Sequence, residues 1–187
     1  MPRFGTIIDA MKDAGIKFAA GLTSPEFATV EEYFGFRFPP DLRCFLHEVL
    51  PVGEKFPDWR DPESETLAKR MSWPLEGIQF DIEHAAFWME EWGGRPELLE
   101  EAFAVAEMAI AEAPTLIPVF SHRYLPEEPQ ESGNPVFSVY QTDIIYYGAD
   151  LHSYFNHEFG LNTSSVEAAN IREIPFWSYL VEMNGAV

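Results

Sequence analysis

Residues 116–148 read LIPVFSHRYLPEEPQESGNPVFSVYQTDIIYYG, and the period of this stretch decides the fold class. LIPVFSHRY, VFSVY and IIYYG are β-branched and aromatic runs separated by turn residues, which is the composition of strands. Gly133-Asn134-Pro135 supplies a tight turn, and the step from Tyr140 to Ile144 is short enough for a hairpin. On either side of the stretch the period is helical. Helices, then strands, then helices predict an α+β domain: N-terminal helices, a central mainly antiparallel sheet, and C-terminal helices.

Upstream, Phe4, Ile7, Ile8 and Met11 recur at helical spacing and Gly15 ends the run. Ser24 is the expected N-cap of a second helix, with Pro25 and Glu26 in its first turn, Phe27, Val30 and Phe34 inward, and Gly35 as its stop. Pro39-Pro40 launch a short helix with Leu42, Phe45, Leu46 and Val49 inward, closed by Pro51 and Gly53. Leu67 to Met71 read as helix, and Gly77 to Ile82 as a strand. Trp88 and Trp92, four apart, are expected to share a helix face. The helix expected over 96–113 starts at Pro96 and buries Leu99, Phe103, Ala106 and Ile110. Downstream, Asp150 caps a helix over Leu151 to Phe159, and a last helix around Trp177 to Met183 follows the loop NTSS and Pro175. No repeat or linker divides the chain, so a single domain over 1–187 is expected.

Charge is the strongest compositional signal. Twelve basic against 31 acidic side chains give −19; residues 1–96 hold 17 acids and 10 bases, residues 97–187 hold 14 acids and 2 bases. Such a surface repels phosphate backbones and anionic lipid, whose affinity comes mainly from Lys and Arg. It either attracts a basic protein and speeds the encounter, or serves solubility alone. No nucleic-acid partner and no membrane are therefore expected. The charges threaded through MPRFGTIIDAMKDAGIKFAAGL make it a poor signal peptide, and the lone Cys44 fits a reducing cytoplasm.

Motifs for chemistry are scarce. His152 and His157 stand about 140° apart on a helix, so they share no face. HExxH, Cys-x-x-Cys, Gly-x-Ser-x-Gly and a Walker lysine are all missing, and no metal, cofactor or catalytic residue is expected. Cys44 and His47 imitate a thiol–imidazole pair, but a cysteine on the inner face of a helix is ordinarily core. Asp81 and Glu83 would share a face of the expected strand.

The opening stretch holds the remaining candidates. As one strand, 116–124 would point Phe120, His122 and Tyr124 one way and Val119, Ser121 and Arg123 the other. A buried arginine needs a carboxylate, and Asp143 or Asp81 is the expected partner. Two readings stand: an internal ion pair beside a histidine bonded to backbone, or a polar pocket lined by His122, Arg123, Asn134 and Asp143.

FGFRFPPDLRCFL, LPVGEKFPDWR, WPLEGIQFDIEHAAFW and IPVFSHRYLPEEPQESGNPVFSVYQTDIIYYGADL, in that order, resemble bacterial members of the SUKH superfamily. The resemblance spans roughly residues 25–160, and its most specific piece is the ordered run GNPVFSV…DIIYYG…L. It implies an α+β domain with a Trp-Pro-x-x-Gly entry into the sheet. It also implies a role: bacterial members are often immunity proteins against polymorphic toxins, frequently nucleases, and fungal relatives are interaction hubs. No catalytic residue carries over, and Gly35, Pro39, Pro40, Trp59, Trp73, Gly77, Pro135 and Gly148 read as architectural. The expected function is thus a non-enzymatic, cytoplasmic binder of a basic toxin domain. Glu90, Glu91, Glu127, Glu128 and Glu131 are its candidate contact face. The alternatives are a ligand-binding or enzymatic domain using His122, Arg123, Tyr124 and Asp143, and a regulatory scaffold.

Overall fold

The continuous apolar runs of the opening stretch are explained by a sheet buried on both faces. The computed structural model describes residues 4–160 and 171–185. Four antiparallel strands run in chain order as a meander: β3 (Leu116–Phe120), β4 (Arg123–Pro126), β5 (Val136–Tyr140) and β6 (Asp143–Gly148). Side chains alternate across this sheet. Ile117, Leu125, Val136 and Tyr147 join one core, while Leu116, Tyr124, Phe137, Val139, Ile144 and Tyr146 join another. A sheet with two covered faces needs apolar side chains at successive positions, hence LIPVF rather than strict alternation.

The first core is closed by α1 (Gly5–Asp13), α2 (Ser24–Phe34), α3 (Pro40–Glu48) and α6 (Leu151–Glu158). Phe4, Phe45 and Phe155 meet there within ring-centroid distances of 4.7 to 6.4 Å. The second core is closed by α4 (Glu65–His84), α5 (Leu99–Glu112) and α7 (Trp177–Met183). Seven helices and two antiparallel sheets among the described residues make the fold α+β, as the sequence indicates. The loop NTSS lies outside the described residues.

Several local expectations are corrected. The cap of α2 is Thr23, which forms a capping box with Glu26, and Ser24 is the first helical residue. Val49 and Pro51 do not finish a helix. They form β2 (Val49–Val52), which pairs antiparallel with β1 (Lys17–Ala20) in a small separate sheet that four-residue strands barely signal. Helix α5 begins at Leu99, beyond Pro96; its fully buried residues are Ala102 and Ala106, with Leu99, Phe103 and Ile110 packed at the margin. Trp88 and Trp92 share no helix, since only Glu90–Trp92 form a 3-10 turn, yet their rings meet edge to face at 5.1 Å. Residues 116–124 are not one strand: the chain reverses at Ser121-His122, pairing Phe120 with Arg123, and Ser121 takes φ +52°.

The largest correction is α4. Gly77–Ile82, expected as a strand, is the middle of this twenty-residue helix, and Trp-Pro-x-x-Gly is helical rather than an entry to the sheet. Pro74 sits inside the helix and has no N–H to give the Arg70 carbonyl one turn earlier. Tyr124, from the sheet, fills that vacancy: its hydroxyl donates to the Arg70 carbonyl at 2.9 Å. Gly77 is required by proximity, because a Cβ there would lie 2.7 Å from the Cα of Gln141 in the β5–β6 turn. Asp81, one turn on, is buried and accepts the Thr142 N–H at 2.9 Å and its hydroxyl at 2.6 Å. A helix that the sequence disguises is thereby bolted to the sheet at both ends of its inner face.

Candidate functional site

The four residues proposed as a polar pocket do not come together. Arg123 faces the layer that holds α6. Its guanidinium lies 3.7 Å from the Tyr147 ring centroid, donates to the Ser138 hydroxyl at 2.9 Å, and has its Nε 3.8 Å from the Glu158 carboxylate. The arginine side chain is 12% exposed and the glutamate 20%, so an internal ion pair exists, but with Glu158. Asp81 belongs to α4, in the layer across the sheet from α6. Asp143 is exposed at the tip of the β5–β6 hairpin and makes no ion pair among the described residues. Asn134 is fully buried; it donates to the Pro126 and Pro129 carbonyls at 3.1 and 2.9 Å and accepts from Arg172. His122 sits in the β3–β4 turn within reach of the Ser121 hydroxyl at 3.2 Å, and its own carbonyl accepts the Val139 N–H. Burial, reinforced by Arg123, lowers its affinity for a proton, so it is neutral near pH 7.

The other pairs dissolve too. Cys44 is half-buried against the first core while His47 is exposed, and no hydrogen bond joins them. Asp81 and Glu83 ride a helix on different faces, one buried and one exposed.

What the structure does assemble is an acidic groove of about 610 Å³ between the end of α2 and the loop after β4. Glu31 and Glu32 line it from the last turn of α2, and Glu127 and Glu128 face them from the loop; among the described residues Arg37 is the one base that lines it. The last turn of α2 carries no basic residue, so the negative end of the helix dipole adds to the glutamates. The chain leaves α2 through Gly35, at φ +73°, a left-handed conformation that glycine adopts without strain.

The groove is rigidly tied. The Glu127 carboxylate accepts the Arg37 N–H at 3.2 Å and the Thr115 N–H at 3.3 Å. Gln130 donates to the Arg37 carbonyl at 2.9 Å, and buried Asp41 accepts the Gly133 N–H at 3.0 Å. Glu31 holds Arg43 at 2.6 Å and the Phe38 N–H at 3.2 Å. Glu32 and Glu128 are exposed and unpartnered among the described residues. Of the acids expected at a partner face, Glu127 and Glu128 line this groove. Glu131 pairs with Arg172 at 3.1 Å, and Glu90 and Glu91 are exposed on the separate 3-10 turn. Glu31 and Glu32 join them without having been among the expected contacts, and their signal in the sequence is two acids at a helix C-terminus, against the dipole.

Comparisons with protein-family models, curated proteins and solved structures return no match to this chain. Among the described residues no helix is long and apolar enough to cross a membrane.

Proposed function

We propose that this chain is a non-enzymatic, cytoplasmic protein-binding domain of the SUKH kind, an immunity protein that captures and neutralises a basic toxin domain. The observation that carries the reading is the groove: four glutamates and a helix C-terminus converge on one open site, two of the acids unpaired among the described residues, in a molecule of net charge −19. A lysine or arginine of the partner reaches Glu32 and Glu128 without displacing a cation from either. The Glu127 carboxylate and the backbone around the groove are already held in place, so only the free Glu32 and Glu128 side chains remain to be ordered, which limits the cost of binding. On a nuclease such basic side chains are the ones that hold phosphates, so covering them blocks the substrate. The surrounding negative field accelerates the encounter.

The test joins protection to kinetics. A toxin domain encoded beside this gene stops growth when expressed alone, and co-expression with this chain restores it. The association rate constant falls about tenfold or more between ~0.05 and ~0.5 M salt. Replacing Glu32 and Glu128 with lysine abolishes protection and leaves the unfolding midpoint in place. Protection that survives the double reversal, or an association rate indifferent to salt, refutes the reading.

A further inference from the structure

A second cleft, of about 550 Å³, lies between α4 and the β3–β4 turn, and its charge is opposite to that of the rest of the molecule. Three permanent cations line it, Lys55, Lys69 and Arg70, against one acid, Glu54, in a chain with 31 acidic and 12 basic side chains. On α4 Trp73 lies four residues beyond Lys69 and three beyond Arg70, so its ring neighbours both cations along the cleft. Lys55 arrives from the loop after β2. That loop is latched to the β3–β4 turn, because the Ser121 N–H donates to the Lys55 carbonyl at 2.7 Å.

The cations are not spent on carboxylates. Arg70 donates to two backbone carbonyls, those of Ser121 and Glu54, and its buried Nε has no hydrogen-bond partner among the described residues. Lys55 and Lys69 form no ion pair among the described residues. Aromatic surfaces complete the site. Trp73 is pinned by its indole N–H to the Val139 carbonyl at 3.0 Å, with the Tyr140 ring 6.3 Å away at 60° and 56% exposed. Neutral His122 adds a hydrogen-bonding edge without further charge.

We propose that this cleft binds a small planar molecule bearing one carboxylate or phosphate, its ring against Trp73 and Tyr140 and its anion at Lys55, Lys69 and Arg70. The volume lies within the range of about 300–1,000 Å³ typical of small-molecule sites, and is too small for a folded partner. A flat ring stacks on exposed aromatic faces, and a cation framework over such faces selects for negative charge. The cleft is distinct from the acidic groove, so it stands or falls independently of the immunity reading.

The experiment is a titration of ¹⁵N-labelled full chain, following the Trp73 indole N–H (assigned with Trp73→Phe). The probes are adenosine 5′-monophosphate and 2-naphthoate, with adenosine and 2-naphthalenemethanol as uncharged counterparts. At least one anion shifts the Trp73 resonance saturably, and its uncharged counterpart binds at least about tenfold more weakly. Response to the nucleotide alone identifies a phosphate site, and response to naphthoate alone a carboxylate site. The K55E/K69E double variant changes two exposed side chains, keeps its unfolding midpoint, and loses about tenfold or more in affinity for the responding anion. No shift with either anion at millimolar concentration overturns the proposal. So does equal binding of the uncharged partner, or unchanged affinity in the double variant.

Discussion

The bond between Tyr124 and Arg70 allows a sharp test of how α4 survives a proline in its interior. Pro74 removes the donor that would satisfy the Arg70 carbonyl, and the Tyr124 hydroxyl takes its place at 2.9 Å. Burial pushes that hydroxyl's pKa well up, so it remains a protonated donor across the accessible range. Tyr124→Phe keeps the ring in its core position, since the residue is 1% exposed, and deletes only the donor. An orphaned carbonyl costs about 1–3 kcal/mol. With a urea slope of about 2 kcal/mol/M, the midpoint drops by roughly 0.5–1.5 M. Pro74→Ala returns a backbone N–H aimed at the same carbonyl. In that background Tyr124→Phe costs about 1 kcal/mol less, and the double-mutant cycle yields a coupling of about that size. Urea denaturation followed by tryptophan fluorescence measures all four proteins. A loss below about 0.5 kcal/mol for Tyr124→Phe, or additive effects around the cycle, would refute the account.

Two further outcomes follow from charge. Arg123→Met leaves the part-buried Glu158 carboxylate without its cation and destabilises by about 1–3 kcal/mol, whereas Asp143→Ala changes chemical-denaturation stability by less than about 0.5 kcal/mol. Glu26 has its carboxyl pKa held down to about 2, first by the Thr23 backbone N–H and then by Arg60, from an ordinary 4.5. A depressed carboxylate stabilises the fold above its unfolded pKa and loses that contribution as pH falls. Glu26→Gln therefore narrows the difference in urea midpoint between pH 5 and pH 2, with wild type and variant converging at the acid end. A constant difference across that window refutes the assignment.

Helices whose own residues carry their start and stop signals were legible in the sequence. Asp150 caps α6, and the stripe of Ile7, Ile8 and Met11 is the buried face of α1. The strands of the meander were legible from β-branched and aromatic content. What was hidden depended on partners remote in sequence. Pro74 and Gly77 look like helix breakers until Tyr124 and the Gln141 backbone are placed beside them. The turn at Ser121-His122 has no glycine or asparagine to announce it, because Ser121 adopts φ +52° under the latch to Lys55. The acidic face was legible as charge but not as place, since Glu31 and Glu32 meet Glu127 and Glu128 only after the loop folds back. For Arg123 the need for a carboxylate was legible. Its supplier was not, because that depends on which helix covers which face of the sheet.

The two-sided burial of the meander also sets a schedule for synthesis. All four of its strands fall between Leu116 and Gly148 and pair through consecutive neighbours, so the sheet closes by short-range contacts. Three helices of the first layer, α1, α2 and α3, emerge from the ribosome much earlier, with Phe4 and Phe45 lacking Phe155 of α6, which is made only after the sheet. Until β3 is made, that layer is an apolar half-shell held only by itself and the β1–β2 pair, an intermediate prone to association. A chain halted before Leu116 should accumulate in aggregates or on chaperones, while one released after α6 has both of its first core's walls to close.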